Sequence, residues 1–200
     1  ILPPSLSLVA YQGDVVISDP GASGELVLAP AARSTLEWLA AGSVQLNQAV
    51  VMSDRDPALT PGTLLPGNPN ASPAPTDNWG VRTDPQFHAG QPVHAGDTMP
   101  ARVYAVAGDV VGGSAAVGST TRIDLPKAFA IRAGRDVLDL SVEAQHADAG
   151  NSSSLIQAGR DLVFATGVAR TEPDHIHIGG PGTLDVIAGR HAQLLLLVVA

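Results

Sequence analysis

The chain has 200 residues, 44% of them apolar, with only seven aromatics and no cysteine; a core can therefore form without disulfides but must rest on Val, Ile, Leu and Ala, and thiolate chemistry is excluded. Nineteen acids face eleven bases for a net charge of -8, and Lys127 is the only lysine among those bases, so no clustered basic surface exists for nucleic-acid phosphates. With 21 Gly and 16 Pro, turns are abundant and helices scarce.

In chain order, the opening segment ILPPSLSLVAYQ alternates Leu6 and Leu8 and carries no basic region ahead of its short apolar stretch. It reads as a strand and not as a leader. Leu26 and Leu28 alternate in the same way. Residues 31–41, AARSTLEWLAA, place Leu36, Leu39 and Ala40 at helical spacing; the terminal AAG matches a repeat found elsewhere, so strand is expected over helix. Residues 52–100 hold nine of the sixteen prolines. Proline cannot donate to a central ladder, so this stretch is expected to leave the sheet as an extrahelical loop, with Trp79 and Phe87 packing it back. Ile176 with Ile178, and Leu184 with Val186, again alternate, and the final LLLLVVA is too short to span a bilayer.

The segments IRAGRDV (131–137), IQAGRDL (156–162) and VIAGRHA (186–192) are copies of one unit, with shorter forms AVAGDV (105–110) and LAAGSV (39–44) and a weak copy at 11–15. Aligned on glycine, they place Gly13, Gly42, Gly108, Gly134, Gly159 and Gly189 together, at separations of 29, 66, 26, 25 and 30 residues. An apolar residue follows each turn: Val15, Val44, Val110, Val137, Leu162 and Ala192. The glycine is expected to supply unusual backbone angles, and each copy reads as strand, turn, strand. One unit of this length cannot bury its apolar face alone, but stacked units can, which predicts a parallel β-solenoid of about six coils. The expected organisation is coils over 1–51, the Pro/Gly-rich loop over 52–100, and coils of the same solenoid over 101–200.

These residues carry a resemblance. The coils of type I-x-A-G-R-D-[VL], together with GPGTLDVIAGR at 181–190, look like the shaft repeats of filamentous haemagglutinin-type exoproteins, the large secreted partners of bacterial two-partner secretion systems. The resemblance covers about three quarters of the chain. It implies an all-β, right-handed parallel β-helix, exported by an outer-membrane transporter to the bacterial surface, where it serves adhesion to host-cell glycans or receptors or presents a distal module. That family's secretion domain is marked by an N-P-N-G-type motif; Asn68, Pro69, Asn70 and Ala71 give NPNA inside the Pro-rich loop. The chain therefore resembles an interior shaft piece and not the secretion domain.

Candidate chemistry is sparse. Asp14, Asp109, Asp136 and Asp161 recur after the repeat glycine, and stacking would align them as polysaccharide-cleaving β-helices align catalytic acids. Arg135 and Arg160 stand beside them, which favours solvated, neutralised turn positions. His175 and His177 share one face of a strand and could clamp a metal with Glu172 or Asp174, but that set is one ligand short; His88, His94, His146 and His191 show no ligand spacing. The serine runs at 152–154 and GGS at 112–114 read as loops and GGPG at 179–182 as a turn; no nucleophile elbow or phosphate-cradling motif occurs. The expectation is a structural shaft segment with no catalytic, cofactor or metal residues, no cofactor and no membrane span; a carbohydrate-active β-helix or the stalk of a contact-dependent toxin exoprotein are the alternatives. Leu194 to Val199, apolar and uncharged, have the signature of an aggregation-prone strand.

Overall fold

The computed structural model describes residues 2–18, 25–56, 92–113, 121–147, 152–164 and 176–193. The expected packing of Trp79 and Phe87, the NPNA motif, His88, Glu172, Asp174, His175 and the strand at 194–199 lie outside them. The first coil holds β1 (Leu6–Ala10), β2 (Val15–Ile17) and β3 (Leu26–Leu28), and the second β4 (Leu36–Ala40), β5 (Val44–Leu46) and β6 (Val50–Met52). The third holds β7 (Ala101–Ala105), β8 (Val110–Gly112) and β9 (Thr121–Leu125), and the fourth β10 (Phe129–Ala133), β11 (Val137–Leu138) and β12 (Leu140–Gln145). The fifth comprises β13 (Ser153–Ala158), β14 (Asp161–Val163) and β15 (Ile176–Gly179), and the sixth β16 (Thr183–Ala188) and β17 (His191–Ala192).

Every strand pairs in parallel with its counterpart one coil away, giving sheets ordered β1-β4-β7-β10-β13-β16, β17-β14-β11-β8-β5-β2 and β15-β12-β9-β6-β3. The fold is all-β, three parallel sheets of aligned strands as in a parallel β-helix, and the described residues include no helix. No helix among them is long and apolar enough to cross a membrane. Residues 36–40, where helical spacing competed with strand, are β4. The serine and glycine runs expected as loops are in part strand: Ser153 and Ser154 open β13 and Gly112 closes β8.

Alternation sorts each strand into an inner and an outer face. In the first sheet, Leu8, Trp38, Val103, Ile131, Ile156 and Val186 stack in one inward column, with Trp38, Val103, Ile131 and Ile156 buried. Leu36, Leu46, Met52, Ile123, Leu140, Phe129 and Leu162 fill the remaining core. Aliphatic residues dominate as composition requires, but Trp38 and Phe129 are the largest fully buried side chains. The post-turn column Val15, Val44, Val110, Val137, Leu162 and Ala192 is in register throughout.

At the corner between the first two sheets, the glycine alignment is corrected. The residues in register are Ala10, Ala40, Ala105, Ala133, Ala158 and Ala188. Leu39 pairs with Val9 and Tyr104 on the outer face, not with the buried Ile131 column. Between this alanine and the repeat glycine stand two residues in the first and third coils, one in the second and none in the last three, so anchoring on glycine slips the first-sheet register by two in the first and third coils and by one in the second. The reason for the glycines also differs from the expected one. Among the six, only Gly13 has positive φ, at 92°. Gly42, Gly108, Gly134, Gly159 and Gly189 adopt ordinary angles, but a Cβ on each would collide with the backbone of the preceding coil: Gly13 for Gly42, Gly42 for Gly108, Val106 for Gly134, Gly134 for Gly159 and Gly159 for Gly189. Close approach of the coils, not φ, demands glycine here. Gly159→Ala and Gly189→Ala should therefore each lower stability by about 1–3 kcal/mol, as overpacking does; urea midpoints at unchanged slope measure this, and a neutral Gly159→Ala would contradict the close approach.

Candidate functional site

The four recurring aspartates sit at this corner. The Asp14 carboxylate accepts from Ser43 N–H at 2.6 Å, and the Ser43 hydroxyl oxygen accepts from Asp109 N–H at 3.1 Å. Asp109 Oδ1 accepts from Asp136 N–H at 2.9 Å, and Asp136 Oδ1 from Asp161 N–H at 3.0 Å. Each coil's side chain thus caps the backbone amide of the next, a ladder through five coils that serves donors the flanking strands do not reach. Arginines close its outer side: Arg160 chelates Asp136, its Nε donating at 3.0 Å and its second nitrogen in a shorter contact, and Arg190 reaches Asp161 at 2.6 Å. Burial pushes the Asp136 carboxyl up, but the Arg160 hydrogen bond, the Asp161 amide and the charges of Arg160 and Arg190 outweigh it and hold the group below its ordinary range. A carboxylate so committed lacks the protonated form a general acid needs.

His177, proposed for a metal clamp, is exposed on β15 while Ile176 beside it is buried. That matches a polar-out, apolar-in strand. No group of three His, Asp or Glu side chains among the described residues is placed to hold a metal ion.

Sequence reasoning missed a second cluster. The segment 92–100 returns to the coils through a turn over Pro92–Asp97, in which Ala95 N–H donates to the Pro92 carbonyl and Asp97 N–H to the His94 carbonyl, both at 3.0 Å. His94 is its one buried residue, 2% exposed. Lys127, 3% exposed between β9 and β10, donates to Asp97 Oδ2 at 2.5 Å and to the Ser34 carbonyl at 2.9 Å. Asp97 also accepts from Ser34 N–H and from Met99 N–H, each at 3.3 Å. Burial raises the Asp97 carboxyl, yet the Lys127 hydrogen bond and the Ser34 amide leave it below the usual carboxylate range. The only lysine of the chain therefore fastens the returning segment to the corner before β4.

His94 Nδ1 lies 3.4 Å from Ser34 Oγ and 3.9 Å from Asp97 Oδ2. Serine and aspartate thus face the same ring nitrogen, whereas a relay needs them on opposite ones, and Ser34 is itself buried. His94 and His146 both line a pocket of about 300 Å³ together with Asp54, Pro126, Gln145 and Pro181. His146, 1% exposed, bonds Ser154 Oγ through Nε2 at 2.7 Å, and that oxygen also accepts Phe129 N–H at 3.1 Å. His94 Nε2 and His146 Nδ1 have no hydrogen-bond partner and no solvent contact.

No protein-family model matches the chain, and neither the curated proteins nor the solved structures contain a match. The functional reading rests on the geometry and on the repeat itself.

Two substitutions separate the roles of these groups. Asp136→Ala should cost about 1–2 kcal/mol by orphaning the Asp161 amide, whereas Asp136→Asn keeps an acceptor and should cost less; equal losses in chemical denaturation would contradict the ladder. Lys127→Met strands the buried Asp97 carboxylate and should cost about 3–5 kcal/mol, with Asp97→Asn added to Lys127→Met recovering part of it.

Proposed function

We propose that this chain is a structural shaft segment of a large secreted bacterial adhesin of the filamentous haemagglutinin type, a right-handed parallel β-helix that extends and displays recognition regions at the cell surface. The observation that carries this reading is the engagement of the recurrent acids at the corner, Asp14, Asp109 and Asp136 by a backbone amide of the next coil and Asp161 by Arg190. The one row that could have formed a catalytic face instead joins coil to coil, and what such joining produces is length and stiffness. Six coils at about 4.8 Å each make a stack of about 29 Å, extended by adding coils without redesign because each contacts only its neighbours.

Handedness is supported by the strong preference of crossovers between parallel strands of one sheet for the right-handed sense. The loop expected from residue 52 begins after Met52, which closes β6, and ends before β7, where an insertion leaves the pairing of the second coil with the third intact. A loop so placed on a rigid scaffold suits display of contacts to a host glycan or receptor. Export through a dedicated outer-membrane transporter follows from the same resemblance, and no enzymatic activity is assigned.

The register defines a clean test. Leu155 stands one coil above Ala130, so excising residues 130–154 removes one coil and restores the stacking order. For a shaft, the shortened chain keeps its β-sheet circular dichroism and cooperative unfolding at lower stability, and the parent exoprotein carrying the deletion still mediates attachment to host cells. Loss of attachment by a normally folded and exported deletion protein would locate recognition in that coil and overturn the shaft reading.

A further inference from the structure

Residues 92–100 are fastened to the coils by the Lys127–Asp97 pair and by the buried His94 ring, and the ring is where the structure holds a conformational device. We propose that residues 92–100 are held against the coil stack by a proton-sensitive latch, in which His94 docks as a neutral imidazole and the segment is released when the ring is protonated.

The groups facing His94 come from every element around it. Asp97 lies on its own segment, with Oδ2 at 3.9 Å from Nδ1. Lys127 approaches from the turn between β9 and β10, Asp54 from the chain after β6, and Ser34 from the corner before β4. His146 closes the same pocket from the end of β12. Asp97, the carboxylate 3.9 Å from Nδ1, is already engaged, since its Oδ2 accepts from Lys127 at 2.5 Å and from Ser34 N–H at 3.3 Å. Nε2 makes no hydrogen bond, and the Ser53 carbonyl, on the chain after β6, is a further acceptor near the ring. A charge on the ring would therefore sit desolvated, without a carboxylate of its own and beside an ammonium, a costly arrangement in a protein interior.

The balance of these effects follows the geometry. Burial, then the Lys127 charge, lower the His94 pKa, and Asp97, the Ser53 carbonyl and Asp54 oppose them without prevailing, so the docked ring titrates below the ordinary 6.5. Burial likewise lowers His146. A released histidine takes up its proton near the ordinary value while the docked one resists, so docking is at full strength above about pH 6.5 and weakens as pH falls through that value toward the docked pKa. Asp97 does not confuse this window: its lowered carboxyl stabilises docking above the ordinary carboxylate value and loses that contribution only at much lower pH.

Amide hydrogen exchange on the full chain, read by mass spectrometry and normalised to intrinsic rates at each pH, tests the latch. Between about pH 7.5 and about pH 5, protection of the amides at Ala95, Asp97 and Met99 should fall by up to about tenfold per pH unit, the limit for one proton, while β10 and β13 stay protected. His94→Gln should flatten that slope, and His146→Gln should leave most of it. Constant protection of 95–99 across the range, or an unchanged slope in His94→Gln, would overturn the proposal. Should His94→Gln be undocked at every pH, the native chain decides by nuclear magnetic resonance. A His94 ring titrating below 6.5 in step with the loss of protection supports the latch, and a ring titrating at 6.5 or out of step contradicts it.

Discussion

The structure depends on how closely successive coils approach at one corner. There the backbone of each coil lies where a Cβ of the next would be, so the sequence carries Gly42, Gly108, Gly134, Gly159 and Gly189. Such proximity brings the turn amides within reach of the side chains below, and Asp14, Ser43, Asp109 and Asp136 accept from them. Packing and hydrogen bonding are thus one constraint. Gly admits the approach, the adjoining acid or hydroxyl satisfies the donor it exposes, and the inner columns of aliphatic residues are held in register by both. A stack built this way favours continuation over enclosure.

Much of this was legible in the sequence because it repeats. Period-two apolar residues named β1, β3, β15 and β16, the spacing of the AG units indicated the number of coils, and the column from Val15 to Ala192 was read correctly from its position after each turn. The alignment failed where it relied on the most conspicuous letter. Glycine marks where the coils crowd, but the invariant geometric position is the alanine ending each first-sheet strand, and the glycine follows it at a distance that varies by up to two residues from coil to coil. Anchoring on alanine would also have put the weak first copy in register, its Ala10 falling in line with Ala40.

The cluster at the returning segment was not legible, and the cause is physical. Lys127 meets Asp97 across 30 residues and Ser34 across 93, while Ser34 meets His94 across 60. None of these contacts repeats from coil to coil, so periodicity is silent about them. The one available signal was rarity: a single lysine in 200 residues, next to Pro126 in a turn, is a position filled by something other than solubility. Its burial against Asp97 docks residues 92–100 on the coils, and this is the point at which the repeat architecture becomes individual.

The central claim is that the corner amides are hydrogen-bonded by side chains of the coil below. Residue-resolved amide exchange by nuclear magnetic resonance at neutral pH addresses it directly, because turn amides without such partners exchange at rates close to those of open chain. The account predicts that Ser43, Asp109, Asp136 and Asp161 are protected to the level of the amides in β4, β7, β10 and β13. Exchange of these four at turn-like rates, in a chain whose strands are protected, would contradict it.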